Sequence, residues 1–335
     1  MDRAGWQDAL AGMPPEQRDV YFLPAFHALD EREGSAFAFV FERGSHRMIV
    51  PGLRTAIPGT SAFDLQTPNG YGGPLLSEGA PAELAGEAWK AWQVAAAEDG
   101  IVAAFFRLHP LLGNRRWLPE DARILVDRKT VYVDLSRGLE PAWKSAESRH
   151  RNMVNRARKE GVVVRWNEPE DWRAFEALYE AAMVRLKAEG RLRFDPAYFG
   201  RLRAIEGTEL ACTRDPGGLV AGHVFLWGPV WGHYHLAARR DDSPNFTMNL
   251  LMQAGLERAA ARGLRGLHLG GGASTSADDG VLRFKRSLGG TLLDFEVALV
   301  VADLARYDAL VSDWTRKEGR PPSWLLGYRQ PRGNE

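Results

Sequence analysis

The chain has 335 residues, 45% of them hydrophobic and 26% charged, with 43 basic side chains against 43 acidic ones. That is the profile of a globular protein with room for two packed domains, and the balanced charge gives no global argument for nucleic acid or another acidic partner. A single cysteine, Cys212, excludes a disulfide within one chain and argues against a cysteine-based metal site.

Met1 to Met13 has no apolar core of a signal peptide, so none is expected. The most apolar later stretch, Leu292 to Leu304, is interrupted by Asp294, Glu296 and Asp303. No run reaches the roughly 20 apolar residues that a spanning helix needs. The expected location is the cytoplasm, without a transmembrane segment.

Ala36–Phe41 and Arg47–Val50 flank Arg43-Gly44-Ser45 and predict a β-hairpin. A loop rich in glycine and proline comes next, Asn69 to Pro74. Glu83–Asp99 has helical periodicity, with Leu84, Ala88, Trp92 and Ala95 on one face, and Gly100 ends it. Ile101–Leu108 and Thr130–Leu135 read as strands. Trp143–Glu160 then reads as one basic helix, closed by Gly161 and followed by a strand at Val162–Val164. Glu170–Glu189 is a long amphipathic helix, with Trp172, Phe175, Leu178, Tyr179 and Met183 at core spacing. Pro196 opens a shorter helix. Three strands are expected at Glu209–Thr213, Leu219–Trp227 and Trp231–Ala237, separated by turns at Asp215–Gly218 and Gly228-Pro229. Ser243 or Asn245 should cap a helix over Phe246–Arg262. Leu267–Leu269 is a short strand running into Gly270-Gly271-Gly272. A helix near Gly280–Ser287 and a strand near Leu293–Val301 complete the unit, and the tail Glu318–Glu335 is expected to be partly extended.

This order predicts an α+β fold with a mostly antiparallel sheet, and the first half repeats the pattern more loosely. Five stretches together resemble the FemAB/FemX branch of the GNAT acyltransferase superfamily: Asp64 to Pro74, Arg151 to Gly161, Tyr179 to Phe199, Tyr234 to Ala238 with the helix after Asn245, and His268 to Gly272 with Leu282-Arg283-Phe284-Lys285. The resemblance implies two GNAT-like domains, each a mixed, mostly antiparallel sheet flanked by helices. Their expected spans are 1–150, joined by a returning segment 312–335, and 151–311.

The resemblance also implies an enzyme that joins an activated acyl or aminoacyl group to a primary amine, without a tightly bound cofactor or metal. Such a reaction needs a neutral amine, aligned reactants and a stabilised oxyanion. Lys285, in the position of the family's Phe-Lys pair, is the candidate for the last; Phe284 accompanies it. A surface lysine between Arg283 and Arg286 is the alternative. Gly270, Gly271 and Gly272 would let backbone amides approach a ligand, or would simply link strand to helix. Asp278 and Asp279 would orient an ammonium acceptor or be solvated loop carboxylates. Tyr71, Gly72 and Gly73 would wall a binding site in the first domain, or the glycines would simply form a structural turn. Arg54, Arg151 and Arg156, with Asn152, would contact a phosphorylated acceptor, because arginine grips phosphate in a bidentate manner, or the basic helix would simply present a solvated face. Tyr234 and His235 are substrate-binding candidates, although His235, like His268, reads more readily as a satisfied, half-buried histidine than as a general base. Cys212 reads as a core thiol.

The connection Arg239 to Phe246, where GNAT enzymes carry a glycine-rich pyrophosphate loop, has no glycine. That leaves aminoacyl-tRNA beside acyl-CoA as donor. The acceptor implied by the resemblance is a cell-envelope amine, either a UDP-linked muropeptide or a lipid-linked precursor. Two other readings stay open: an acyl-CoA-dependent N-acetyltransferase on a small or polysaccharide amine, and a non-catalytic module binding RNA or a sugar nucleotide. DNA is not an expected partner.

Overall fold

The computed structural model describes residues 3–188, 190–276 and 278–332; the chain forms two compact units, residues 1–127 with 294–335 and residues 128–293. In chain order the first unit begins with α1 (Arg3–Ala11), α2 (Pro24–His27), β1 (Ser35–Arg43), β2 (His46–Ala56), β3 (Phe63–Gln66), β4 (Leu75–Leu76), α3 (Leu84–Glu98) and β5 (Ile101–Arg107). Strand β6 (Arg123–Asp134) carries the chain into the second unit. That unit continues with α4 (Leu139–Ser145), α5 (Ser148–Lys159), β7 (Arg165–Trp166), α6 (Pro169–Arg185), α7 (Pro196–Ala204), β8 (Thr208–Asp215), β9 (Gly218–Trp227), β10 (Trp231–Arg239), α8 (Thr247–Ala261), β11 (Gly266–Gly271) and α9 (Gly280–Arg286). Strand β12 (Thr291–Val301) and α10 (Leu304–Glu318) return to the first unit.

In the first unit the strand order is β1-β2-β3-β5-β12, with β4 beside β2. All these pairs are antiparallel except β3–β5, which is parallel and bridged by α3. The β1–β2 hairpin turns at Gly44, whose φ of 62° is open to glycine at little cost. The half-buried Phe37, Phe39 and Phe41 of β1 pack with Trp89 and Trp92 of α3. Trp89 Nε1 donates to the Trp117 carbonyl at 2.6 Å, so the polar edge of the indole is satisfied inside the core.

The second unit has the order β6-β11-β10-β9-β8-β7. Again one pair, β10–β11, is parallel and bridged by a helix, α8, while the rest are antiparallel. Helix α8 is apolar nearly all round, with Leu250, Leu251, Met252, Ala254 and Leu256 buried. It lies so close to the sheet that a Cβ on Gly255 would sit 2.3 Å from the Phe225 ring. Two irregularities interrupt the ladders of this sheet. The β9–β10 register shifts between Tyr234 and Leu236, and the β11–β6 register shifts between His268 and Gly270, where Gly270 takes a φ of 71°.

Several expectations need correction. The domain limits fall earlier than 150/151 and 311/312. Trp143 and Met153 pack with Val154, Ala157, Phe246 and Leu250, so α4 and α5 belong to the second core. Leu299 packs with Val102, Ala103 and Tyr307, which puts β12 and α10 with the first. The basic stretch 143–160 is two helices, because Ala146 is extended and Glu147 N donates to the Ser287 carbonyl at 2.8 Å. The strand expected at Val162–Val164 lies instead at Arg165–Trp166, and Val163 is 70% exposed. Neither Ser243 nor Asn245 caps α8; the N-cap position is Phe246, with no side-chain cap. Periodicity assigns no element to 304–318, and this stretch is α10, capped by Asp303. Glu189, at the end of the expected long helix, and 333–335 lie outside the described residues; α6 stops at Arg185. Among the described residues no helix is long and apolar enough to cross a membrane.

Candidate active site

A cavity of about 850 Å³ opens in the second unit. Its walls come from the start of α5 (Glu147, Arg149, His150, Met153), the end of β10 (Tyr234, Arg239), the first turn of α8 with Asn245 (Met248, Asn249) and helix α9 (Gly280 to Ser287). Lys285 is one of these residues and is only 7% exposed. Its Nζ donates to the Gly271 carbonyl at 2.6 Å and stands 5.2 Å from the centre of the Tyr234 ring. Both partners lie close to the irregularities of their strands: Tyr234 borders the β10 shift, and Gly271 follows the β11 shift by one residue.

Among the described residues Lys285 has no carboxylate within ion-pair distance. Desolvation pushes its pKa down to about 8, and the field of Asp279 opposes that fall. Burial also pushes the neighbouring His223 down, to about 3, helped by the charge on Lys285, so this imidazole is neutral. The Tyr234 hydroxyl is raised by burial and stays protonated. At neutral pH the site therefore holds one buried positive charge beside two neutral hydrogen-bonding groups.

Four arginines line the same cavity: Arg149, Arg239, Arg283 and Arg286. Among the described residues none of them has an ion-pair partner; Arg239 donates only to Ser243 Oγ, at 3.3 Å. Elsewhere in the unit arginines are matched: Arg158 with Glu257, Arg165 and Arg214 with Asp171, Arg240 with Asp215, and Arg258 and Arg262 with Glu209. Cations left unmatched around a cavity focus a positive potential there and favour an anionic ligand. Helix α8 adds to this, since no side chain satisfies its first-turn amides and Met248 and Asn249 of that turn face the cavity.

The remaining sequence candidates divide between the cavity and sites away from it. Tyr234 and Phe284 line the cavity. Gly271 contributes the carbonyl that holds Lys285, while Gly270, at a φ of 71°, borders the β11 irregularity. Gly272 is needed because a Cβ there would lie 2.5 Å from Asp279 Oδ1. Asp279 is neither solvated nor free to orient an acceptor: it caps α9 and is 9% exposed. Asp278 is exposed. His235 meets Tyr198 OH at 3.0 Å, and desolvation pushes its pKa down to about 3, which fits the satisfied-histidine reading.

Arg151 donates to the Lys144 and Ala146 carbonyls at the end of α4, so it is spent on a helix terminus instead of a phosphate. Arg156 pairs with Glu160 at 2.7 Å on the surface, and Asn152 is exposed. In the first unit Arg54 lies 3.4 Å over the Phe63 ring and donates to the Asp99 carbonyl at 2.8 Å. Tyr71 packs edge-on against Tyr21 and Phe295. Gly72 and Gly73 are buried beside Asn114, whose Nδ2 donates to the Gly72 carbonyl at 2.8 Å. Sequence reasoning missed Arg149, Arg239, His150 and Asn249. His150 and Asn249 are 99 positions apart and meet at 2.9 Å, a contact with no local signal. Cys212 is buried, and its thiol is raised by burial and by Asp171, as a core thiol should be.

Residues 144–286 match the family model described as Acetyltransferase (GNAT) domain. Comparison with curated proteins gave no match. Among solved structures the chain is similar to FemX, at 12% identity and a TM-score of 0.72, over 92% of this chain and 98% of that one. It is also similar to the C-terminal domain of a protein described as a putative lysylphosphatidylglycerol synthetase from Agrobacterium fabrum (15% identity, TM-score 0.57, 92% and 97% covered) and to L-PGS from Bacillus licheniformis (14%, 0.55, 81% and 89%). Residues 144–286 thus carry a GNAT-type acetyltransferase domain, and the fold has two GNAT-like domains. The fold is similar to that of FemX over most of the chain, and the matched domain encloses the cavity around Lys285.

Proposed function

We propose that this protein transfers an acyl or aminoacyl group from an activated, phosphate-bearing donor to a primary amine of a cell-envelope precursor, using the cavity around Lys285. One observation carries the reading: a buried ammonium without a carboxylate partner among the described residues, set in a cavity rimmed by unmatched arginines. The amine nitrogen attacks the donor carbonyl carbon and the carbonyl oxygen takes up negative charge. The Lys285 ammonium stabilises that oxyanion, which is worth about 3 kcal/mol for a single well-placed donor. The intermediate then expels the alkoxide of an ester or the thiolate of a thioester. The amine gives up its proton and the leaving group takes one, so the charge balances without a covalent enzyme intermediate.

The resemblance to the FemAB/FemX branch favours aminoacyl-tRNA as donor and a UDP-linked muropeptide or lipid-linked precursor as acceptor. Both donor types are made in the cytoplasm, which is where we expect the enzyme to act. The second donor, acyl-CoA, is favoured by the uncapped first turn of α8, which can meet a pyrophosphate through its amides even though Arg239 to Phe246 lacks glycine. Incubating the protein with a panel of amines and either aminoacyl-tRNA or acyl-CoA, read by mass spectrometry, separates the two. Lys285→Ala should lower kcat about 10²–10³-fold with donor binding retained. No transfer from either donor, with ligand binding intact in both forms, would make the protein a binding module and end the enzymatic reading.

A further inference from the structure

We infer that Asp279 is a positioning residue that fixes where the Lys285 ammonium stands, by tying both the helix that carries it and the loop that receives it to one carboxylate. This rests on the acyltransferase reading of Lys285 and adds a residue which that reading does not require.

The geometry is specific. Asp279 Oδ1 accepts the Leu282 amide at 2.8 Å and so caps α9 three residues before Lys285. Its Oδ2 accepts the Ser274 amide and the Ser274 hydroxyl, each at 2.9 Å. Ser274 lies in the loop that begins at Gly271, whose carbonyl holds Lys285 Nζ at 2.6 Å. One carboxylate thus references both ends of the Lys285 hydrogen bond. The backbone makes room for it: only a glycine at 272 lets Asp279 sit where it does, since a Cβ would approach its Oδ1 to 2.5 Å.

Asp279 also sets the local field. Hydrogen bonds from the Leu282 amide, ahead of all other influences, hold its pKa down to about 2, so it is charged throughout the working range. The groups facing Lys285 can be named from each element. Tyr234 of β10 and His223 of β9 are neutral. Arg239 from the end of β10, and Arg283 and Arg286 on its own helix, are positive. Across the cavity α5 adds Arg149 and His150, with Glu147 at its start. Glu147 is the one carboxylate of the cavity wall and is exposed, whereas Asp279 is nine-tenths buried and close enough to act on Lys285. Burial favours loss of the proton from Lys285, and the charge on Asp279 opposes it.

The test uses the full chain and needs no substrate for its first arm. Competitive acetylation by acetic anhydride across pH, read at the Lys285 peptide by mass spectrometry, reports the fraction of free amine. In the wild type its midpoint is expected at about 8. Asp279→Asn and Asp279→Ser both keep an N-cap acceptor and lose the charge; each should move the midpoint down by about one pH unit. In the second arm both variants should lose about tenfold in kcat with KM for the amine little changed, as expected when only transition-state contacts suffer. Gly272→Ala leaves every charge in place but displaces the carboxylate, and should reproduce the loss of kcat. A wild-type midpoint and wild-type kcat in all three variants would overturn the inference. Failure of the acyltransferase reading looks different: the wild type then has no turnover, while the labelling arm still reports whether Asp279 governs Lys285.

Discussion

The two units are built on one plan and put their charges to opposite uses. Each has antiparallel strands, one parallel pair bridged by a long helix, and a final antiparallel strand. In the first unit the crossover helix α3 seals against aromatic strands, Arg43 is matched there with Glu83 and Glu87, and Arg329 is matched elsewhere in the unit with Asp64. In the second unit the crossover around α8 borders a cavity whose lysine and four arginines have no carboxylate partner among the described residues. The same scaffold is therefore closed by packing in one copy and left electrostatically incomplete in the other. An incomplete charge set is a stability cost that a ligand can offset.

The largest effect that should break this comparison is on the pH profile and turnover of the proposed transfer reaction. Lys285 has to be charged to stabilise an oxyanion; its pKa is lowered to about 8, so its contribution is present below that pH and lost as pH rises through it. Lys285→Arg, which stays charged, should abolish an alkaline fall in kcat centred near 8, even if turnover is lower overall. A profile unchanged by this substitution would separate Lys285 from the chemistry.

Next in size is the stability of the two tethers. Asp64 is fully buried and takes Arg329 through two bonds, at 2.8 and 3.1 Å, anchoring the C-terminal segment to the first unit. Asp64→Ala leaves the arginine without its partner and should cost about 3–5 kcal/mol by denaturant melting. Glu209 in the second unit accepts from Trp227, Arg258 and Arg262, but those arginines reach solvent, so Glu209→Ala should cost less, about 2 kcal/mol.

The same two carboxylates differ in sign with pH. Burial raises Asp64 despite Arg329, so its folded form binds a proton more readily than the unfolded one. Its charged state weakens the fold as pH rises from the ordinary carboxylate range to that raised value. For Glu209 burial is outweighed by the hydrogen bonds and charges of Arg258, Trp227 and Arg262, and its pKa is lowered. Its contribution is full above the unfolded value and is lost as pH falls through the folded one. Lowering the pH should therefore raise hydrogen exchange in strand β8 of the wild type towards the level that Glu209→Gln shows at every pH, with β3 little affected.

The smallest effect concerns binding. Arg283→Ala with Arg286→Ala should weaken a phosphate-bearing donor about tenfold and flatten its salt dependence. Arg43→Ala in the first unit should leave donor binding unchanged. Equal losses would show that the unmatched set is not the donor's contact.

Much of the fold was legible because it rests on local periodicity. The β1–β2 hairpin, α3, β5, α6, the three strands β8–β10 and α9 come from alternation, apolar spacing and glycine stops, to within a few residues. The failures have a physical pattern. The stretch 143–160 keeps a helical composition throughout, and only the Glu147–Ser287 contact, far apart in the chain, divides it. The arginines of the expected acceptor site were chosen by type, but type does not reveal partners: Arg54, Arg151 and Arg156 are committed locally, while Arg149 and Arg239 are not. Asp279 could have been recognised from its place just before α9, where an aspartate commonly caps.

By itself the amino-acid sequence determined the α+β class and most of its strands and helices, because periodicity and turn chemistry act between neighbours along the chain; the two-domain plan and the Phe284-Lys285 pair came from the resemblance to the FemAB/FemX branch. Only the tertiary structure decided which cations stay unmatched, that Gly271 and Tyr234 meet at one ammonium, and that Asp279 is buried. Desolvation and ion pairing depend on distances across the fold, and no spacing along the chain encodes them.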